Sequence, residues 1–196
     1  MSNQEVYRPR SNWVVAGAGI LITALFVWSS FYDGGVGSEI TSLLLAAVII
    51  LTIYIFIIRP KVTFCDEGVV ITNPITEFRI GWSDVILMDS KWAFTIETKT
   101  FTVSAWAATA PGRHHARNIH INEITGLGVL DDESMRTADS PRSHSGAAIY
   151  RAKVRQKRFH DNGTLTQIKT EKVRDLRMII AAALLLVAAI ATALLV

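Results

Sequence analysis

The sequence is poor in cysteine and in charged residues. Its one cysteine, Cys65, excludes an internal disulfide and a cysteine metal cluster. Charged residues make up only 19% of the 196 residues, and the ranges 11–32, 40–58 and 178–196 contain none. A helix over each range would be about 28–33 Å long, which matches the hydrocarbon core of a bilayer. The sequence therefore excludes a soluble enzyme, a secreted disulfide scaffold and a disordered tail. It predicts an integral membrane protein with transmembrane helices over 13–32, 40–58 and 178–196.

The predicted transmembrane helices also lack Asp, Glu, Lys, Arg and His. Ionisable residues inside a membrane mark proton relays, ion pathways and transporters, so their absence argues against a pump, channel or carrier acting alone. It also leaves no histidine to ligate a haem in the membrane. Small residues let helices approach closely; here they either pack the protein's own helices or dock another membrane protein. The candidate helix-packing residues are Ala16, Gly17, Gly19, Ala189 and Ala193.

The positive charges near the predicted helices indicate an orientation. Lys and Arg are absent from the loop 33–39, which carries two acidic residues. The positive-inside rule therefore places this loop outside the cell and the segment 1–12 in the cytoplasm. The large block 59–177 is then cytoplasmic, the C-terminus is external, and the protein is a multi-pass protein of the inner or plasma membrane. The flanking positive residues are Arg8, Arg10, Arg59, Lys61, Lys172, Arg174 and Arg177.

The block 59–177 favours a small antiparallel β domain. Short runs of β-forming residues, separated by turn residues such as Asn73-Pro74, predict strands at close spacing. Such strands form a barrel or sandwich, with Trp82 and Trp92 expected in its core. A helix is expected from Ser145 or Gly146 to about Phe159, after a long excursion over 107–145. Within the juxtamembrane segment 161–177, residues 164–177 are expected to become helical as they join the third span. The predicted strands are 61–66, 69–72, 77–80, 85–88, 92–97 and 100–105.

One run in this block, RPKVTFCDEGVVITNPITEFRIGWSDV, directly follows the predicted helix pair. With its Asp66-Glu67-Gly68 turn, Asn73, Ile80, Trp82 and Val85, it resembles the membrane-anchored bacterial pleckstrin-homology-like domains of actinobacteria, the low molecular weight protein antigen 6 type. The resemblance covers 59–106, more weakly to about 150, and contains no catalytic residue. It implies a β-barrel or bent sandwich over 59–160, closed by a C-terminal helix, and a role in binding. The third span and the long excursion depart from the simplest members.

Many pleckstrin-homology domains bind phosphoinositides through basic residues on the loop after the first strand. Here that loop is Asp66-Glu67-Gly68, which is short and acidic, so that site does not carry over. The strongest basic feature is instead a run of five positive residues in eight. It is either a solvated helix face or a contact for anionic lipid or an acidic partner, each residue contributing about 1 kcal/mol near an anionic leaflet. No motif indicates nucleic-acid binding. The run comprises Arg151, Lys153, Arg155, Lys157 and Arg158.

No pattern of residues indicates chemistry. The histidines His114, His115 and His120 lack the spacing of a transition-metal site, and the acidic triplet 131–133 lacks the spaced oxygen ligands of a calcium loop. Cys65 lies mid-strand without a neighbour that would make it a thiolate. No nucleophile elbow, phosphate loop or paired-carboxylate constellation is present. We therefore expect no catalytic, metal or cofactor site and no small-molecule substrate.

These observations predict a non-catalytic accessory or scaffold protein that presents its β domain at the cytoplasmic face. It would be a subunit, or an assembly or stability factor, of a larger membrane complex and would contact other integral membrane proteins. A respiratory-chain assembly is one candidate host, and secretion or cell-envelope machinery is another. The alternative is a sensor of anionic lipid that uses the basic helix. A third interpretation, an enzyme of unrecognised type, requires a pocket with convergent polar groups.

Overall fold

The computed structural model describes residues 4–33, 36–110, 143–161, 163 and 166–195. The chain divides into two compact units. The β unit comprises Met1–Pro9 and Pro60–Val173, and the helical unit comprises Arg10–Arg59 and Arg174–Val196. The fold is therefore α+β, with long apolar helices in one unit and antiparallel sheets in the other.

The helical unit contains the three predicted apolar helices, which are confirmed. They are α1 (Ser11–Asp33), α2 (Val36–Ile53) and α4 (Arg177–Leu195); α3 (His144–Asp161) lies in the β unit. A π-helical turn, Tyr54–Ile58, continues α2 and ends where the Arg59 N–H donates to the Tyr54 carbonyl at 2.8 Å. Each span is long and apolar enough to cross a membrane by length and composition.

Small and hydroxyl-bearing side chains lie where α2 packs against its two neighbours. Ala16, Ala46 and Ala189 are almost fully buried. A Cβ atom added at Gly19 would lie 2.8 Å from Ile53 Cδ1, so only glycine fits there without a shift. Between α2 and α4, the hydroxyls of Thr41 and Thr192 are hydrogen-bonded at 3.0 Å. The close approach of these helices therefore depends on residue size, as expected in an apolar environment.

The β unit has two sheets and, among the described strands, no closed barrel. The larger sheet has the order β1-β2-β3-β4-β8, and the smaller sheet has the order β5-β6-β7. The six predicted strands between residues 61 and 105 are found, with their ends shifted by up to four residues. The strands are β1 Glu5–Tyr7, β2 Lys61–Phe64, β3 Gly68–Thr72, β4 Thr76–Gly81, β5 Val85–Asp89, β6 Ala93–Thr98, β7 Thr102–Thr109 and β8 Glu171–Arg174.

The core of the β unit combines side chains of both sheets and of helix α3 (His144–Asp161). Alternate residues of the strands point inward, as the pleat requires, so the Phe64 and Phe94 rings meet at 6.1 Å between centroids. Trp82 is fully buried as predicted, and its Nε1 donates to the Cys65 carbonyl at 3.0 Å. The prediction for Trp92 is wrong. Trp92 lies in the turn before β6, is 76% exposed, and packs its ring near the Lys91 ammonium.

Helix α3 begins and ends close to the predicted bounds. Its N-terminus is capped by Ser143, whose Oγ accepts a hydrogen bond from the Gly146 N–H at 2.8 Å. Ala148, Ala152 and Phe159 recur at helical spacing and are buried in the core. Of the basic side chains of α3, Lys157 and Arg158 are exposed, whereas Arg155 lies on the buried side.

Two strands were not predicted, and both lie at the edges of the larger sheet. Strand β1 pairs antiparallel with β2, with Val6 opposite Thr63, so the N-terminal segment is part of the β unit. The expectation of a helix before the third span is wrong, because β8 lies beside β4 instead. Arg79 of β4 forms an ion pair with Glu171 of β8 at 3.2 Å. The available edge of β4 thus determines the conformation of this short polar segment.

Candidate anion-binding groove on helix α3

The five basic residues predicted as a contact surface are divided by the helical period. Arg155 lies on the core side, with only 8% of its side chain exposed. Arg151 is 38% exposed and Lys153 is half-buried. Lys157 and Arg158 are exposed. The run is therefore not one continuous solvated face.

Arg155 is held by two carboxylates. Its Nη1 donates to Asp66 Oδ1 at 2.9 Å, and its Nη2 lies 3.5 Å from Glu5 Oε2. Asp66 belongs to the acidic turn between β2 and β3, and Glu5 belongs to β1. A guanidinium this deeply buried requires such partners, because an unpaired buried charge is strongly destabilising.

Glu5 also contacts Arg151, so its carboxylate lies between two guanidinium groups. Arg151 Nε is 3.0 Å from Glu5 Oε1. The Arg151 guanidinium lies 5.1 Å from the centre of the Tyr7 ring, within the range of a cation–π contact. The Tyr7 hydroxyl is hydrogen-bonded to His144 Nδ1 at 2.6 Å. The N-terminal strand therefore contributes both a carboxylate and an aromatic ring to the surface of α3.

An open groove of about 450 Å³ runs along this surface. Three arginines and a single acidic residue line it, which gives it a positive character. Among the described residues, Arg158 forms no ion pair. Guanidinium groups bind carboxylates and phosphates through paired hydrogen bonds, so the groove can accept an anion. Its lining residues are Glu5, Ala147, Tyr150, Arg151, Val154, Arg155 and Arg158.

Two titratable groups of the β unit have shifted protonation equilibria. Burial raises the pKa of the Cys65 thiol above its ordinary value of 9.0, although nearby Arg155 opposes the shift. Burial likewise raises the pKa of Tyr7, against the opposing charge of Arg151. Both groups are therefore protonated at neutral pH, and Cys65 is not an activated nucleophile.

The helix-packing candidates also divide into two groups. Ala16, Gly19 and Ala189 lie within the packed helices, as described above. Gly17 and Ala193 are exposed, and a Cβ atom at Gly17 would meet nothing within 4 Å.

An apolar groove of about 330 Å³ lies between α1 and α2. Its lining residues are Ile20, Thr23, Ala24, Val27, Trp28, Phe31, Leu43, Ala46 and Ile50.

Some of the predicted features lie outside the described residues. These are most of the excursion 107–145, including His114, His115, His120 and the acidic triplet 131–133. Within the described ranges, no three His, Cys, Asp or Glu side chains are grouped so that they could hold a metal ion.

Sequence reasoning identified the arginines of the groove but missed Glu5 and Tyr7. The alternation in Glu5-Val6-Tyr7 could have indicated them, because the first and third side chains of such a run lie on the same face of a strand. Three residues are too few for that pattern to stand out.

In the comparisons with known proteins, no family model matches this chain, and no curated protein or solved structure matches it significantly. Its class therefore follows from its own structure. It is an α+β protein with three helices long and apolar enough to span a membrane and with a separate unit of two antiparallel sheets.

Proposed function

We propose that this chain is a non-catalytic accessory protein of a larger membrane complex. The helical unit anchors it in the cell membrane and docks other integral membrane proteins, and the β unit is presented at the cytoplasmic face. The observation that carries the proposal is the outward surface of the helical unit. That surface combines an exposed glycine, Gly17, with the apolar groove between α1 and α2.

The surface of the helical unit fits a protein partner better than a transport path. The ranges 11–32, 40–58 and 178–196 contain no Asp, Glu, Lys, Arg or His, the residues that commonly form ion and proton pathways in membranes. In a membrane, helices associate through close packing at small residues. The packing of the helical unit does not require glycine at position 17, because no atom lies within 4 Å of a Cβ atom added there. A partner helix can use that space.

The resemblance noted from the sequence gives a second line of support. It implies a β-barrel or bent sandwich closed by a C-terminal helix, and the β unit contains two sheets and α3. The absence of a closed barrel among the described strands limits the likeness to the sandwich form. We therefore keep a pleckstrin-homology-like domain of the sandwich form in the proposal, with a respiratory-chain assembly and secretion or cell-envelope machinery as candidate hosts.

Gentle extraction from native membranes tests the accessory role. A chain tagged at its C-terminus should co-purify with other integral membrane proteins in a fixed ratio. Gly17→Leu should reduce that ratio several-fold, because leucine fills the space that a partner would use. Val14→Leu is the matched control, since Val14 is 74% exposed on the same helix but is not small.

Thermal unfolding separates docking from folding in this experiment. Gly17→Leu should leave the unfolding temperature unchanged, whereas Gly19→Leu should lower it through the contact with Ile53. The proposal is contradicted if the wild-type chain is extracted with lipid alone.

A second candidate function is the recognition of anionic lipid, which the positive groove on α3 favours. The full chain should bind vesicles that contain anionic lipid more strongly than neutral vesicles, and added salt should weaken that binding. An isolated fragment 59–177 would be a poor reagent, because it lacks strand β1 and Glu5. Equal binding to both kinds of vesicle would exclude this candidate.

A further inference from the structure

We propose that the groove on α3 is a phosphate-binding site and that Glu5 occupies it in the absence of ligand. The proposal deepens the second candidate function, because it names the site and the ligand chemistry, and it is independent of the accessory role. The ligand is a phosphate monoester, either the headgroup of an anionic lipid or a free phosphate compound.

The contacts of Glu5 show how the groove receives an anion. The two carboxylate oxygens are shared between Arg151 Nε at 3.0 Å and Arg155 Nη2 at 3.5 Å. Each arginine makes one contact with the carboxylate, so two guanidinium groups converge on one oxyanion, and charge-assisted contacts of this kind are among the stronger ones in proteins. Glu5 is 43% exposed and lies on a strand of three residues at the sheet edge. The occupying carboxylate is therefore accessible to competition.

The donors of the groove favour phosphate over a single carboxylate. Arg155 already has Asp66 as a partner at 2.9 Å, which keeps it fixed at the base of the groove. Arg158 lines the same groove, is exposed, and forms no ion pair among the described residues. A phosphate monoester has three terminal oxygens and a charge of about −1.5 to −2 at pH 7, so it can contact Arg151 and Arg158 together. One carboxylate satisfies fewer of these donors.

Glu5 has two effects on such a ligand. Its negative charge repels the phosphate, and its contacts with Arg151 must break before the ligand can bind. Removal of the charge should therefore strengthen binding, whereas removal of a ligand donor should weaken it. A charge-matched change at a neighbouring basic residue outside the groove distinguishes this site from a general attraction of anions to a basic protein.

Calorimetric titration of the full chain in a zwitterionic detergent tests the proposal. The titrants are inorganic phosphate, dihexanoyl phosphatidic acid and dihexanoyl phosphatidylcholine. We expect binding of the first two and none of the third. Stronger binding of phosphatidic acid than of inorganic phosphate identifies a lipid headgroup as the source, and equal binding identifies free phosphate compounds. Preferential binding of hexaglutamate over both would overturn the proposal in favour of an acidic peptide.

Three single variants locate the site. Arg158→Gln should weaken phosphate binding about tenfold, the size expected for a hydrogen bond to a charged group. Lys157→Gln is the matched control, because it also removes one positive charge but Lys157, the neighbour of Arg158, does not line the groove. Glu5→Gln should strengthen binding about tenfold.

The outcomes separate the site from the broader function. If Arg158→Gln and Lys157→Gln lose the same affinity for phosphate while vesicle binding is retained, the groove is not the binding site. Only a diffuse attraction of anions to the basic surface would then remain. Absence of phosphate binding in both the wild type and Glu5→Gln would also overturn it. Weaker binding by Glu5→Gln at an unchanged unfolding temperature would overturn the role of Glu5. Arg158→Gln keeps the test decisive if the Glu5 variant fails to fold.

Discussion

Among single residues, Gly81 allows the segment before β8 to lie against β4. Its N–H donates to Thr170 Oγ1 at 3.1 Å. A Cβ atom at Gly81 would lie 2.6 Å from the Ile168 carbonyl oxygen and 2.7 Å from Gln167 Oε1. A backbone oxygen cannot move aside without displacing the segment, so residue size at this position controls the docking of 167–170.

We expect Gly81→Ala to lower the free energy of unfolding of the β unit by about 1–3 kcal/mol, the usual cost of overpacking. Trypsin should also cleave faster after Lys169, which is exposed within the displaced segment. Mass spectrometry of the timed digest measures that cleavage. Gly17→Ala is the control, because its added methyl group meets nothing within 4 Å. An unchanged cleavage rate in Gly81→Ala would contradict the argument.

The raised pKa values of Cys65 and Tyr7 predict a loss of stability in alkaline solution. Burial raises both pKa values in the folded state, so the unfolded chain releases these protons at lower pH. The stability that the protonated Cys65 thiol contributes is therefore fully present below its ordinary pKa of 9.0. It is lost as the pH rises through the higher pKa that the thiol has in the folded state. Denaturant unfolding between pH 8 and 11 measures this decline.

Cys65→Ala provides the comparison for the alkaline experiment. The variant lacks the thiol, so its free energy of unfolding should decline less steeply with pH than that of the wild type. Parallel declines in the two proteins would show that the thiol contributes nothing to the effect.

At the scale of elements, β1 is a short strand with two functions. It covers the edge of β2 through the pairing of Val6 with Thr63, and it supplies Glu5 to Arg151 and Arg155. Its removal would expose the edge of β2 and would take the Glu5 carboxylate away from Arg155. A charge as buried as Arg155 makes that loss costly.

We therefore expect deletion of residues 1–7 to lower the unfolding temperature of the β unit. Hydrogen exchange should accelerate at the β2 amides that β1 protects and at α3 near Arg155. The amides of β5–β7 are the internal control, since these strands form a separate sheet. Uniform acceleration over both sheets would indicate global unfolding instead of a local role for β1.

The strength of the sequence pattern explains which elements could be predicted. The apolar helices were clear because 19 or more consecutive residues lack charge. Strands such as β6 were visible from alternation, with Phe94 and Ile96 inward. β1 and β8 have three and four residues with charged members, so only the open edges of β2 and β4 determine them. Local sequence carries no information about such an edge.

The candidate site was predictable to the same limited extent. Five basic residues in eight identified a candidate contact surface on the predicted helix, and a helical period could have placed Arg155 with Ala148 and Ala152. The carboxylate partner could not be identified, because Glu5 is distant in sequence and lies before the first span. The groove depends on that long-range contact.

At the scale of the whole molecule, the connectivity constrains how the chain can cross a membrane. Strand β1 precedes α1, strand β2 follows α2, and these two strands are hydrogen-bonded partners. If α1 and α2 span a bilayer, both ends of this helix pair must lie on the same side. The end of α1 at Asp33 and the start of α2 at Val36 then lie on the other side. This connectivity agrees with the charge distribution, which independently favours a cytoplasmic β unit.

Cysteine labelling tests the orientation, and the single native cysteine makes the chain well suited to it. Cys65 is buried with a raised pKa, so the wild type should react little with a membrane-impermeant maleimide. Val36→Cys replaces a residue that is 72% exposed at the start of α2 and should be labelled in intact cells. Lys157→Cys, on the β unit, should be labelled only after the membrane is permeabilised. The reverse pattern would place the β unit outside the cell, and labelling of both variants in intact cells would exclude a membrane-spanning arrangement of α1 and α2.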